Sequence, residues 1–393
     1  MNKRIIGWAV LLMVISCMVA GQTALAQSNP PCARASATAF VNWPQFHSDP
    51  CHTGYNPNEF LLSAGTVGSL VLDWKYTTSD VIFASPAVAN GVVYIPGDRS
   101  DRHLYALNAS TGALLWKYLD ESGGVSTSPA VANGVVYVAS YDNLYALNAA
   151  TGEFLWRYTT GGGVSSAPTV VNGVVYVGFD NSHLYALNAA TGALLWDSQV
   201  GYAVSSSPAV ANGLVYVGSG DHKLYALNAL TGVVVWSYTA GSIIPSPAAV
   251  VDGVVYFGCW DYNVYALNAS TGALLWKYAT EANEVSTPAV ANGVVYVVSN
   301  DVQYNDNLYA LNATTGALLW GSRGWGWSDP AVANGVVYAP WGINLYASDA
   351  GTGAILWQSQ STPGGFESPV VANGVVYVGS YDNNLYAFHL PGH

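Results

Sequence analysis

The chain has few charged side chains, and very few of those are basic. Charged residues make up 9% of its 393 residues, against about 25% in a typical soluble domain. There are 11 Lys and Arg against 23 Asp and Glu, for a formal net charge of -12. Because nucleic-acid binding needs a basic stripe that neutralises phosphates, we expect no nucleic-acid partner. Disorder is also excluded, since 51% of the residues are hydrophobic and 14 are Trp.

Cysteine is scarce as well, and no Cys/His cluster has the spacing of a zinc site. Beyond Cys17, the chain holds Cys32, Cys51 and Cys259. If the protein is exported to an oxidising compartment, Cys32 and Cys51 could pair across a short loop, and Cys259 would remain as a small structural residue. His47 and His52 are interpreted as part of a polar lead-in rather than as metal ligands. We expect no metal site, and no motif of a hydrolase, metalloprotease or P-loop enzyme is found.

The N-terminus has the pattern of an export signal. Lys3 and Arg4 precede an apolar run from Ile5 to Ala20, and small residues end at Ala26. Residues 1–26 are therefore predicted to be a signal peptide, followed by an extended lead-in over 27–66. A run of this length is shorter than the roughly 18 to 20 residues that span a bilayer. The protein is expected to be secreted or to lie in the cell envelope or periplasm; lipidation at Cys17, which would anchor it to a membrane, is the alternative.

From residue 85 onward one phrase of about 40 residues recurs. It contains a proline, an Asn-Gly turn, an Asp/Asn-rich turn, a Thr-Gly turn and a tryptophan. The prolines are Pro86, Pro129, Pro168, Pro208, Pro247, Pro288, Pro330 and Pro369. The tryptophans are Trp74, Trp116, Trp156, Trp196, Trp236, Trp276, Trp320 and Trp357.

Each unit holds four short apolar runs separated by turns, which predicts four antiparallel strands. The Asn-Gly turns suit a type I′ hairpin because both residues tolerate positive φ. Eight such units predict an all-β, eight-bladed β-propeller over residues 67–390. The first Trp strand precedes the first full unit, and the last unit lacks a Trp strand. We therefore expect residues 68–78 to complete the last blade, so that the two termini close the ring, and we expect a monomer.

The segment Ala106 to Trp116, ALNASTGALLW, resembles the tryptophan-docking motif of pyrroloquinoline-quinone-like (PQQ-like) propeller repeats. The segments WPQFH from Trp43 and TGYNP from Thr53 resemble the opening of bacterial members of that class. The resemblance implies that the eight repeated tryptophans pack between adjacent blades. It also implies a relation in fold to the lipoprotein propeller of the outer-membrane assembly machinery, which binds a partner through its loops.

The resemblance also brings in quinone-dependent alcohol and aldose dehydrogenases. Those enzymes hold PQQ and Ca²⁺ at the propeller centre with a vicinal disulfide, a stacking Trp and a catalytic Asp. Here no two cysteines are adjacent, and the loops that build such a site are missing. No catalytic residue is therefore carried over, and no cofactor is expected; a PQQ-dependent dehydrogenase with calcium is the least favoured alternative.

The loops differ between the two faces of the predicted disc. The variable face carries the Asp/Asn-rich turns and the loops from each Trp strand to the next proline; the repeat face carries the Asn-Gly and Thr-Gly turns. Because loops on a rigid scaffold usually carry binding residues, the variable face is the candidate site. The variable face departs most from the repeat in blades five to seven. There Asp329 stands directly before the repeated proline, where most units have Ser or Thr. The candidate ligand or partner residues are Trp260, Tyr262, Arg323, Trp325, Trp327 and Trp341.

These aromatic residues admit three interpretations: they anchor a protein partner, stack on sugar rings, or fill the central channel. We predict a non-catalytic protein-interaction or assembly scaffold whose partner is an unidentified protein. A propeller that binds a carbohydrate or another small ligand, with a glycan as its partner, is the alternative.

Overall fold

The short turns of the repeat produce eight small antiparallel sheets arranged as the blades of a propeller. The computed structural model describes residues 42–392 except 99, 126, 165, 301–306, 325 and 327. These residues form 34 strands and one 3₁₀ turn, Val67–Ser69. Within the same residues, no helix has the length and apolar character needed to cross a membrane.

The first part of the chain forms β1 and β2, which join the sheets of blades seven and eight, and then blades one to four. Its strands are β1 (Tyr55–Asn56), β2 (Val71–Thr77), β3 (Ala87–Ala89), β4 (Val92–Pro96), β5 (His103–Asn108), β6 (Leu114–Leu119), β7 (Ala130–Ala132), β8 (Val135–Ser140), β9 (Asn143–Asn148), β10 (Phe154–Thr159), β11 (Thr169–Val171), β12 (Val174–Gly178), β13 (His183–Asn188), β14 (Leu194–Gln199), β15 (Ala209–Ala211), β16 (Leu214–Gly218), β17 (Lys223–Asn228) and β18 (Val234–Thr239).

The second part forms blades five to eight. Its strands are β19 (Ala249–Val251), β20 (Val254–Cys259), β21 (Asn263–Asn268), β22 (Leu274–Ala279), β23 (Glu284–Val285), β24 (Ala289–Ala291), β25 (Val294–Asn300), β26 (Asn307–Asn312), β27 (Leu318–Arg323), β28 (Ala331–Ala333), β29 (Val336–Trp341), β30 (Asn344–Asp349), β31 (Ile355–Gln358), β32 (Val370–Ala372), β33 (Val375–Gly379) and β34 (Asn384–His389).

Turn chemistry sets the strand order within each blade. In blade two, β7, β8, β9 and β10 pair in sequence. The β7–β8 turn places Asn133 at φ 51° and Gly134 at φ 77°, the left-handed conformation that a type I′ hairpin requires and that these residues tolerate best. Blade six adds β23 beside β25, and blade seven adds β1, which runs parallel to β28.

The ring closes by pairing the two ends of the propeller, as predicted. β2 is the outermost strand of the sheet that contains β32, β33 and β34. It runs antiparallel to β34, with Val71 opposite His389 and Thr77 opposite Asn384. The closure pairs both edges that would otherwise remain open.

The seams between blades repeat one arrangement. Each of the eight repeated tryptophans donates its indole N–H to a backbone carbonyl of the following blade, at 2.9–3.2 Å. In seven seams a tyrosine from the second strand of the blade donates its hydroxyl to the same carbonyl as the tryptophan. In blade eight, for example, Tyr377 and Trp74 both donate to the Ala109 carbonyl. The other six tyrosines are Tyr94, Tyr137, Tyr176, Tyr216, Tyr256 and Tyr296. The core is accordingly divided into clusters that lie between neighbouring blades.

Candidate functional site

The axis of the propeller is filled by the chain's own opening segment. We call residues 43–56 the axial segment. Each of the eight innermost strands makes a hydrogen bond to it through its central residue, at 2.6–3.1 Å. The pairs are Val88 with Trp43, Val131 with Pro44, Val170 with Gln45, Val210 with Pro50, Val250 with Cys51, Val290 with Thr53, Val332 with Gly54 and Val371 with Asn56.

Two histidines of this segment are buried, which the sequence did not indicate. His52 Nε2 lies 3.1 Å from Thr169 Oγ1. Burial, helped by the neighbouring His47, lowers the pKa of His52 to about 3, so its ring is neutral at physiological pH. Thr169 stands where most blades have alanine, and its hydroxyl gives the buried ring a polar partner.

Asp49 lies in the same segment and binds within its own turn. It accepts hydrogen bonds from the Thr53 hydroxyl at 2.6 Å and from the Cys51 N–H at 2.9 Å. Burial raises the pKa of Asp49 to about 6. Among the described residues, no three His, Cys, Asp or Glu side chains come together in a group that could hold a metal ion.

The cysteines fall into two kinds. Cys51 is disulfide-bonded; its predicted partner Cys32 lies outside the described residues, so that pairing stays a prediction. Cys259 is free and fully buried. Burial raises the pKa of its thiol to about 12, which keeps it protonated and unreactive.

Above the axial segment, a ring of small polar residues joins neighbouring blades on the variable face. The Ser85 N–H donates to Ser128 Oγ at 3.0 Å, and the Ala167 N–H donates to Ser207 Oγ at 2.9 Å. In blade seven Asp329 occupies this position. Its Oδ1 accepts the Thr287 N–H at 2.7 Å, and its own N–H donates to Ser368 Oγ at 3.0 Å.

Asp329 therefore has more than its place in the ring requires, because a serine hydroxyl accepts the corresponding hydrogen bond in blades two, four and eight. Its Oδ2 lies 3.7 Å from Nε2 of His47, which reaches it from the axial segment. Burial raises the pKa of Asp329, and the same effect lowers the pKa of His47. The extra oxygen and the charge mark this position as different in chemistry from its counterparts.

A pocket of about 240 Å³ opens beside Asp329. It spans blades five to seven, and its lining residues are Pro245, Ser246, Pro247, Trp260, Glu284, Val285, Ser286, Thr287, Asn300 and Asp329. Burial raises the pKa of Glu284, which lies in β23. The pocket thus combines one aromatic ring with two carboxyl groups.

Local departures from the repeat shape this pocket. Pro247 precedes its turn glycine, Gly253, by six residues, whereas the other seven prolines precede theirs by five. Pro247 is therefore one residue out of register with the other prolines, and Ala248 holds the equivalent place. In blade six, two residues lie between Val285 and Pro288, whereas three lie at the corresponding place in blades one to four.

The predicted face residues are distributed across the pocket and its surroundings. Trp260 lines the pocket and is 38% exposed; Tyr262 and Trp341 are 51% and 40% exposed. The Arg323 side chain is 85% exposed and pairs with Glu281 at 3.6 Å. Trp325 and Trp327 lie outside the described residues, as does most of the turn from Asn300 to Asn307.

Glu284 and Glu367 were not singled out from the sequence. Glu367 stands in blade eight at a position where blades three, four and six have serine. Burial raises the pKa of Glu367 to about 7, and the nearby Asp329 adds to this shift. A hydrogen bond from Tyr381 acts in the opposite direction and lowers the pKa in part. The signal that could have found both residues is the replacement of small or apolar loop residues by acids.

The described residues do not fit PQQ with calcium. The axial segment fills the centre at the level of the innermost strands, and no three His, Cys, Asp or Glu side chains of the described residues come together there to hold a metal ion. The free Cys259 is buried and has no adjacent cysteine. No step of a quinone reaction is therefore derived for this chain.

Comparison with known proteins places the fold among two kinds of propeller. BamB from Moraxella catarrhalis is 16% identical, with a TM-score of 0.70 over 81% of this chain and 99% of that one. Quinohemoprotein alcohol dehydrogenase from Comamonas testosteroni is 17% identical, with a TM-score of 0.76 over 92% and 82%. The related enzyme ADHIIG from Pseudomonas putida HK5 is 18% identical, with a TM-score of 0.75 over 90% and 81%.

At these identities the structural matches show the fold alone. A search of curated protein sequences finds no match. A sequence-family profile, described as outer membrane protein assembly factor BamB, matches in overlapping segments over residues 55–126, 120–243, 173–301, 241–324 and 304–390. These matches cover most of the propeller, and the chain belongs to this family of PQQ-like β-propellers.

Proposed function

We propose that the chain is a non-catalytic scaffold that binds a protein partner through the variable face of blades five to seven. One observation carries the proposal: Trp260, Tyr262 and Trp341 remain 38–51% exposed in one sector. Exposed aromatic residues are costly to leave in water and are enriched at the energetic centres of interfaces. Membership of a family described as an assembly factor supports the same function.

The contents of the axis support the non-catalytic part of the proposal. The quinone-dependent dehydrogenases that the repeats resemble hold their cofactor at the centre of the propeller. In this protein, each of the eight innermost strands uses a backbone N–H or carbonyl group to make a hydrogen bond to the axial segment. Removing that segment would leave seven N–H groups and two carbonyl groups of the innermost strands without these partners, and each unsatisfied buried group costs about 1 to 3 kcal/mol.

We also propose that the protein is exported and works as a monomer in the cell envelope or outside the cell. Export rests on the signal pattern of residues 1–26 and lipidation on Cys17, both outside the described residues. Comparing the mass of the N-terminal peptide of the protein recovered from cells separates cleavage after Ala26 from lipidation at Cys17. An intact N-terminus beginning at Met1 would contradict export by a cleaved signal.

Site-specific photo-crosslinking in the native cell tests the scaffold function. A photoreactive amino acid is placed at Tyr262 or Trp341 on the variable face, and at Leu230 in a Thr-Gly turn of the repeat face as a matched exposed control. We expect the two variable-face positions to yield the same discrete protein adduct, and Leu230 to yield none. Equal adducts from both faces, or none from either, would contradict the proposal.

Carbohydrate binding is the second candidate, because the exposed rings of Trp260 and Trp341 could stack on sugars. A glycan array with the purified protein and with the Trp341→Ala variant tests it: binding that is lost in the variant would favour a sugar ligand. A titration with PQQ and Ca²⁺, run with a dye-reduction assay on alcohols and aldoses, tests the dehydrogenase alternative. Turnover in that assay would overturn the non-catalytic proposal.

A further inference from the structure

The pocket over blade six carries charge that the fold does not use. At the ring position, a serine hydroxyl accepts the neighbouring N–H in blades two, four and eight. Asp329 does the same with one oxygen and adds a second oxygen and a negative charge at the pocket wall. Because burying a carboxylate is costly, a surplus carboxylate needs a reason outside the ring.

Among the described residues, Asp329 has no Lys or Arg as an ion-pair partner. The ion-pair partner of Asp329 in the described residues is His47, at 3.7 Å, and burial holds the pKa of that histidine below its usual value. His47 is 4% exposed, and within the described residues neither of its ring nitrogens has a hydrogen-bond partner. The buried imidazole of His47 therefore faces Asp329 from the axial segment, and its lowered pKa makes it a weak counter-charge for that carboxyl group.

Two further residues complete the chemistry of the site. Trp260 lines the pocket from blade five with part of its ring in solvent, and Glu284 lines it from blade six. Arg323, a basic side chain of blade six, pairs with Glu281 at 3.6 Å and is not among the lining residues of the pocket. An aromatic face beside carboxylates is the arrangement that binds ammonium and guanidinium groups, through cation–π attraction and charge-assisted hydrogen bonds.

We propose that this pocket binds an organic cation, an ammonium or guanidinium group that lies against Trp260 and pairs with Asp329 and Glu284. Its volume of about 240 Å³ is below the roughly 300 to 1,000 Å³ of pockets that enclose a whole drug-sized ligand. It therefore accommodates the charged end of a molecule: a free amine or a basic side chain of a larger one. The net charge of -12 favours the approach of cations.

Calorimetric titration of the full chain with matched probes tests the proposal. N-acetylarginine amide carries a guanidinium group, N-acetylcitrulline amide is a neutral analogue of almost the same shape, and choline is a free organic cation. We expect the arginine probe to bind at least about tenfold more tightly than the citrulline probe, and more weakly as salt is raised. A capped Gly-Arg-Gly peptide, compared with choline, distinguishes a side-chain ligand from a free cation.

Four variants localise the binding. Asp329→Asn keeps an oxygen for the Thr287 N–H and removes the charge, and we expect it to weaken the arginine probe at least about tenfold. Trp260→Ala removes the ring at a partly exposed position, and we expect a loss of about fivefold. Glu121→Gln, an exposed carboxylate in the corresponding loop of blade two, and Tyr141→Ala, an exposed ring in the turn between β8 and β9 of blade two, should bind like the parent.

Several results would overturn the proposal. They are equal binding of the arginine and citrulline probes, unchanged binding in both Asp329→Asn and Trp260→Ala, no binding at millimolar probe, or displacement of the probe by micromolar Ca²⁺. If Asp329→Asn does not fold, Trp260→Ala still decides the outcome. The proposal goes beyond the scaffold function, and the two are tested independently. The crosslinking positions Tyr262 and Trp341 do not line the pocket, so the scaffold proposal can fail while the cation proposal holds, and the reverse.

Discussion

The same residue type has opposite surroundings at the seams and on the variable face. At each seam a repeated tryptophan donates its indole N–H to the next blade; Trp156, Trp196 and Trp276 are buried there. In blades five and seven, Trp260 and Trp341 lie outside the seams with about two fifths of their area exposed. Every seam must close the same ring, so its chemistry repeats; the variable face has no such constraint, and its departures identify the candidate site.

Replacing one tryptophan from each region gives the largest expected contrast. Trp196→Ala removes a buried ring and its 3.0 Å hydrogen bond to the Ala229 carbonyl. We expect it to lower the free energy of unfolding by about 3 to 5 kcal/mol. Trp260→Ala changes a partly exposed position and should cost about 1 kcal/mol or less. Chemical denaturation monitored by circular dichroism measures both.

The seam role of the repeated tryptophans requires that these two values differ. An unchanged unfolding midpoint in Trp196→Ala would contradict it. A large loss in Trp260→Ala would instead show that this ring holds the sector together, and would favour the structural interpretation of the aromatic cluster. Trp276→Ala, at an equally buried seam, is the matched control and should reproduce the cost of Trp196→Ala.

The inner loops give a second contrast, between serine and acid at equivalent positions. In blades three and four, Ser166 and Ser206 hydrogen-bond to backbone groups of the neighbouring strand. Glu367 stands at this position in blade eight, and burial beside Asp329 raises its pKa to about 7 from an ordinary 4.5. The folded protein therefore holds a proton that the unfolded chain has released between about pH 4.5 and 7, and stability falls as pH rises through that range.

Glu367→Gln removes this dependence. Relative to the parent, the variant should gain stability as pH rises from 4.5 to 7, by on the order of 2 kcal/mol, and the difference should level off above pH 7. Melting temperatures of both proteins at half-unit pH intervals measure it. A constant difference between Glu367→Gln and the parent over this range would show that the carboxyl group of Glu367 is not perturbed.

The sequence predicted the seams far better than the axis. Asn-Gly, Thr-Gly and Trp recur at fixed spacing because each blade needs those side chains and turn conformations, and so fold, blade number and closure followed from the pattern. The axial segment binds the blades mostly through its own carbonyl groups and the N–H groups of valines such as Val131 and Val210. Backbone contacts of this kind leave no side-chain pattern, so the burial of His47 and His52 was not predictable.

The pocket was predictable in part. Trp260 and Asp329 were identified because they break a repeated phrase, and the structure places both in the pocket lining. Glu284 was missed because the loop in blade six is one residue shorter, which shifts the alignment of that loop with its counterparts. The sequence shows which residues differ between blades; only the closed ring shows that three successive blades bring these side chains to one pocket.

The seam between blades seven and eight provides the finest comparison, because it differs from the others by one hydrogen bond. Blade eight takes its outermost strand, β2, from the N-terminal end of the propeller. Trp357 of blade seven therefore donates to the carbonyl of Leu70, just before β2, instead of to a carbonyl of the repeated turn. The Tyr338 hydroxyl is buried there and, within the described residues, has no hydrogen-bond partner. Its counterpart Tyr216 donates to the Ala269 carbonyl at 3.1 Å.

Removing the hydroxyl should therefore have different effects at the two seams. Tyr216→Phe loses a hydrogen bond and should cost about 0.5 to 1.5 kcal/mol, while Tyr338→Phe removes an unsatisfied polar group and should be neutral or slightly stabilising. Unfolding midpoints of the two variants, measured side by side, decide the matter. Equal losses would mean that the Tyr338 hydroxyl finds a partner at the closure, and the ring would then be held at all eight seams by the same pair of hydrogen bonds.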